Sequence, residues 1–79
     1  MDSNTRRSIK AAINGSPRNC YVAELHAQVL KHADQLRNMT GKEFCDELEI
    51  PVSYGTEYSK MIKLADRLKK TGSLNTTKI

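Results

Sequence analysis

The sequence predicts a small all-α domain of four helices, and three observations carry that reading. Apolar residues recur at steps of three and four through most of the chain, the period of a helix face. The run Thr40-Gly41-Lys42-Glu43 has the composition of a capping box. Helix-stopping residues fall between the periodic segments, at Gly15-Ser16-Pro17, Pro51 and Thr71-Gly72. The 79 residues leave room for a single domain, 1–79. A chain this short buries only about 60% of its unfolded surface, so pairing with a second copy is an expected source of stability.

The first helix is expected over 5–14, capped by Ser3 or Asn4 and ended by Gly15 in left-handed backbone. Ile9, Ala12 and Ile13 form its apolar face, which leaves Arg6, Arg7 and Lys10 toward solvent. With the break that follows, 1–18 reads as a basic N-terminal unit. The second helix is the longest, over 20–38. Val22, Leu25, Val29, Leu36 and Met39 form a stripe along it that can serve as core, as a dimer seam or as both. The third helix is short, over 41–49, and buries Phe44, Cys45 and Leu48 before Pro51 stops it. A turn over 52–55 leads into the fourth helix, 56–70. Leu74 is expected to fold back onto the core, and 75–79 to fray.

Composition narrows the function classes. Hydrophobic residues make up 38% and charged residues 28%, which suits a folded soluble domain rather than a disordered tail. No apolar run approaches the ~18 residues of a membrane span. The first ten residues lack the apolar stretch of a signal peptide. A cytoplasmic setting with reduced thiols follows, without membrane association. Cys20 and Cys45 are too few for a disulfide framework and make no CxxC pair. His26 and His32 do not share a helix face as paired metal ligands do. There is no P-loop, no GxGxxG and no carboxylate pair in apolar surroundings. Neither an enzyme, a metal, a cofactor nor a small-molecule substrate is expected.

The net charge of +4 is unevenly spread. Residues 1–18 carry Arg6, Arg7, Lys10 and Arg18 against Asp2, whereas 40–49 carries Lys42 against Glu43, Asp46, Glu47 and Glu49. The fourth helix sorts its residues by face. Tyr58, Met61, Ile62, Ala65 and Leu68 share one side. Thr56, Lys60, Lys63, Arg67 and Lys70 fall opposite, while the acids Glu57 and Asp66 lie off that line. An ordinary wet face mixes signs to gain i,i+4 pairs. A row of cations without acids suits a helix that tracks phosphates, and an α-helix fits the major groove of DNA.

The preceding segment supports the same geometry. A short helix with an apolar inner face, Phe44, Leu48 and Ile50, and a small residue at the crossing, Cys45, would brace the basic helix, with the acidic side of Asp46, Glu47 and Glu49 turned away from nucleic acid. Residues Thr40, Glu43, Phe44, Cys45, Leu48 and Ile50 resemble the first half of a bacterial helix-turn-helix. Over 40–72, with Tyr54-Gly55-Thr56-Glu57-Tyr58-Ser59-Lys60-Met61-Ile62 as its most distinctive run, the chain resembles small bacterial proteins with a helix-turn-helix-like domain. The first half of the chain lies outside that resemblance. Two departures stand out. Glu49 occupies the place of the usual turn glycine, which predicts a different turn geometry. The step from Ile50 to Tyr58 is longer than in the compact motif, which predicts an extended turn; too little chain follows for a full wing.

The expected architecture is therefore an all-α four-helix domain with an extended helix-turn-helix over 40–72. The expected function is double-stranded DNA binding in transcriptional regulation, as a homodimer paired through the 20–39 helix. Ser53, Tyr54 and Thr56 would reach bases or phosphates at the turn. Lys60 and Lys63 would track the groove, Arg67 and Lys70 would hold phosphates, and Arg6, Arg7 and Lys10 would form a second phosphate patch. The alternatives are a helical protein-interaction module without nucleic acid, and an RNA-binding bundle.

Overall fold

The computed structural model describes residues 1–72. The expectations for Leu74 and for 75–79 lie outside the described residues. Among the described residues the chain forms helices α1 (Ser3–Gly15), α2 (Tyr21–Lys31), α3 (Ala33–Leu36), α4 (Gly41–Leu48) and α5 (Gly55–Lys70). One-turn 3-10 segments, Arg18–Cys20 and Val52–Tyr54, precede α2 and α5.

Helix α1 starts earlier than the sequence predicts. Asp2 caps it, and its carboxylate accepts from the Thr5 amide at 2.7 Å. Three cap-forming residues stand in a row here, and the outermost is used. Gly15 belongs to the helix rather than ending it in left-handed backbone. The cap is Ser16, at φ −76°, with its amide and hydroxyl both on the Ile13 carbonyl.

The expected 20–38 helix is broken. His32 sits at φ −105°, ψ 16°, away from helical values, and divides it into α2 and the single turn α3. The break leaves the stripe in use: Leu25, Val29 and Leu36 are fully buried. They join Ile9, Ile13, Phe44, Cys45, Leu48 and Tyr58 in one core.

The capping box is present as read. The Thr40 hydroxyl accepts from the Glu43 amide at 3.1 Å, and the Glu43 carboxylate accepts from the Thr40 amide at 2.9 Å. Those contacts hold the Glu43 carboxyl below its usual range, its hydrogen bond from the Thr40 backbone first among the causes. The end of α4 corrects an expectation. Glu49 adopts φ 58°, ψ 41°, the left-handed backbone that a turn glycine would supply. The Ile50 amide then reaches the Cys45 carbonyl at 3.1 Å and the Glu49 amide the Asp46 carbonyl at 3.2 Å, a Schellman closure. The turn keeps the usual local geometry with an unusual residue, and Glu49 carries the backbone strain that glycine would avoid.

Helix α5 lies across this frame. The Tyr58 ring stacks on Phe44 with centroids 4.5 Å apart. Its hydroxyl donates to the carbonyls of Leu36 and Met39, the latter at 2.9 Å. Those carbonyls close α3 and the link that follows it, so one phenol ties the middle of α5 to the chain entering α4. Gly72, at φ 73°, terminates α5 as the sequence predicts.

Candidate nucleic-acid interface

The side-chain geometry of α5 follows from how its two acids are used. Glu57 turns toward α2 and accepts from His26 Nε2 at 2.7 Å. That hydrogen bond, with Lys60 adding a smaller effect, holds the Glu57 carboxyl below its usual range. Asp66 turns toward α3 and meets the Arg37 guanidinium at 2.8 Å. Arg37 also reaches Asp34 at 3.1 Å, and Asp34 takes Lys69 Nζ at 3.0 Å. Both acids of α5 are thus occupied by neighbouring helices.

The opposite edge carries Thr56, Lys60, Lys63, Arg67 and Lys70, and all five side chains are exposed. Lys60 shares Glu57 at 3.8 Å. Lys63, Arg67 and Lys70 form no ion pair among the described residues. The Thr56 hydroxyl donates to the Ser53 carbonyl at 2.9 Å, which pins the turn to the first residues of α5. Ser53 is exposed, and Val52 beside it is 62% exposed. Tyr54 is half-buried, with its ring 5.5 Å from that of Tyr21. The helix therefore brings the five edge residues onto one line, with Ser53 and Tyr54 at its start.

The N-terminal cations Arg6, Arg7 and Lys10 share one surface of α1, and two of them also meet acids. They ride on α1, which packs on α2 and α4. Ile9 and Ile13 are buried, and Arg6 and Lys10 lie on the same flank at helical spacing. Arg6 consequently meets Glu47 at 3.7 Å, and Lys10 meets Glu49 at 2.9 Å. The hydrogen bond from Lys10 holds the Glu49 carboxyl below its usual range. The acidic side of α4, expected to be a free outer face, spends Glu47 and Glu49 on α1. Of the three cations, Arg7 is exposed without an acid partner among the described residues.

Two features escaped the sequence reading. Gly41 and Gly55 bring the starts of α4 and α5 into backbone contact, whereas the sequence points to Cys45 as the small contact residue. Sequence offers no signal for this contact, because Gly55 falls in the expected 52–55 turn and its approach to Gly41 depends on how α4 and α5 pack. The pairing of Glu57 with His26 and of Asp66 with Arg37 was not available, since it depends on how distant segments pack.

No group of three or more His, Cys, Asp or Glu is placed to hold a metal among the described residues. No helix among the described residues is long and apolar enough to cross a membrane.

A short capped helix, a left-handed turn and a longer basic helix braced on it define a helix-turn-helix-like domain. The family described as HTH-like domain matches residues 1–71, and the chain belongs to it. The match reaches the N-terminal half, which the resemblance over 40–72 had left aside. No curated protein and no solved structure matches the chain.

Proposed function

We propose that this protein binds double-stranded DNA through the exposed edge of α5 and acts as a transcriptional regulator in the bacterial cytoplasm, without catalytic activity of its own. One observation carries the reading. Lys60, Lys63, Arg67 and Lys70 stand on the outer edge while both acids of the same helix are engaged by His26 and Arg37. Engaged acids leave the edge with a net positive field, the condition for phosphate contact and counterion release. Membership in a helix-turn-helix-like family supports the same assignment.

A dimer completes the proposal, because one such helix per chain gives few contacts and two half-sites double them. The stripe of Leu25, Val29 and Leu36 is spent on the protomer's own core. Pairing through the 20–39 segment would therefore use its outer side, where Val22 is 40% exposed.

The test is binding of duplexes recovered from a random-sequence pool, comparing the natural chain with Lys60→Ala/Lys63→Ala. Both side chains are exposed, so the variant keeps its helical circular dichroism. Its affinity is expected to fall at least about tenfold, as the loss of two charge-assisted contacts implies. Equal binding by the two proteins would reject the edge of α5 as the contact surface.

A further inference from the structure

The turns that open α2 and α5 are built alike. Pro17 precedes Arg18–Cys20 and Pro51 precedes Val52–Tyr54, and both prolines hold extended backbone at ψ 148° and 139°. The two turns deliver Tyr21 and Tyr54 to each other, with ring planes inclined at 46°. Together with Arg18 and Pro51, the rings line an open cleft of about 420 Å³. The cleft adjoins the start of α5, since Tyr54 immediately precedes Gly55 and the exposed edge begins at Thr56.

Among the described residues, no acid lines this cleft. Arg18 is exposed and has no ion-pair partner among the described residues. Neither phenol hydroxyl is hydrogen-bonded to another described residue. Burial, then the neighbouring Tyr54, push the Tyr21 phenol above its ordinary range, so it keeps its proton as a donor. Arg18 and two tyrosines whose hydroxyls have no partner among the described residues line one opening, and a guanidinium and a phenol can each donate to an anion.

We propose that the Arg18–Tyr21–Tyr54 cleft receives a backbone phosphate of bound DNA, flanking the groove that α5 enters. The assignment rests on the DNA-binding reading of α5 and extends its contacts to a second element. Arg18 supplies the charge and a forked pair of N–H donors, the phenols complete the coordination, and Pro51 walls the side toward the sugar. A phosphodiester fits better than a stacked base. Two half-buried rings tilted onto each other do not offer the flat open face that stacking needs.

The experiment uses the full chain and a duplex recovered by selection on it, with neutral methylphosphonates placed singly along each strand. Arg18→Ala is expected to bind about tenfold more weakly and to lower the salt slope by about one. It should also become insensitive to the one methylphosphonate position that impairs the natural chain most at the edge of the site. Arg18→Lys should recover the salt slope, and Tyr54→Phe should lose a smaller share of affinity. If Arg18→Ala binds with unchanged affinity and salt slope while Lys60→Ala/Lys63→Ala does not bind, the cleft assignment fails and the α5 reading stands. If neither variant departs from the natural chain, both readings fail. Capture of a proline-rich peptide by the natural chain, lost in Arg18→Ala without any change in duplex binding, would overturn the proposal in favour of a protein ligand.

Discussion

A side-chain carbon on Gly41 would lie 2.8 Å from the carbonyl oxygen of Gly55, and one on Gly55 would lie 3.3 Å from the carbonyl carbon of Gly41. The first residues of α4 and α5 therefore meet backbone to backbone. The bracing helix sets the position of the basic helix through this contact, and only glycine permits it.

Gly41→Ala is accordingly expected to destabilise the fold by about 1–3 kcal/mol, the range for overpacking against backbone that cannot yield. Gly15→Ala is the control. Its added carbon meets nothing within 4 Å among the described residues and its backbone is not left-handed, so it should stabilise by about 0.4–1 kcal/mol. Thermal denaturation followed by circular dichroism separates the two. Equal midpoints for both variants would contradict the close approach.

Glu49 occupies left-handed backbone at the end of α4. Glu49→Gly relieves that strain and gives up an exposed pair with Lys10, which is worth little in water. The expected result is a higher melting temperature. A fall would mean that the pair outweighs the backbone.

Tyr58→Phe removes the hydroxyl that serves the carbonyls of Leu36 and Met39. The Leu36 carbonyl keeps the Met39 amide at 3.1 Å, so the variant leaves the Met39 carbonyl without its donor, at a cost of about 1–3 kcal/mol. Urea unfolding should show that loss with an unchanged slope. A cost near zero would mean that the link from α5 to the chain before α4 is carried by ring packing on Phe44 alone.

His32 sets an expectation for pH. Its Nε2 is buried without a hydrogen-bond partner among the described residues, and desolvation first, then Lys31, lower its pKa from 6.5. A histidine with a folded pKa below its unfolded value is held neutral by folding. The unfolded chain then takes up protons first as pH falls. Stability should thus be fully present above pH 6.5 and decline as acid is added below it. His32→Gln should decline less over the same window. Identical pH profiles for the two proteins would remove His32 as a cause.

Much of this arrangement was legible in the sequence, for reasons specific to each element. The capping box is a local exchange between Thr40 and Glu43, so composition and spacing suffice to find it. The sorting of α5 into a core face and a basic edge follows from helical period alone. Gly72 ends α5 because a left-handed residue is needed there and glycine supplies it at little cost. The break at His32 left only a faint trace, because the apolar stripe skips from Val29 to Leu36 with His32 as its missing member, and neither glycine nor proline marks a stop. Glu49 misled because the turn takes its left-handed geometry from the closure by Ile50 and Cys45, whatever residue stands there. The partners of Arg6 and Lys10 depend on the docking of α1 against α4, which no local pattern records.

The measurement that bears most directly on the account is the salt dependence of duplex affinity. It should compare the natural chain with Lys63→Ala/Arg67→Ala/Lys70→Ala, and with Arg6→Ala/Lys10→Ala as a second reference. Each phosphate contact contributes about 0.9 to the logarithmic slope, so the triple variant should lose about 2.7 of it, while the α1 variant, whose cations already serve Glu47 and Glu49, should lose little. A triple variant with the slope and affinity of the natural chain would contradict the central claim that the outer edge of α5 holds nucleic acid.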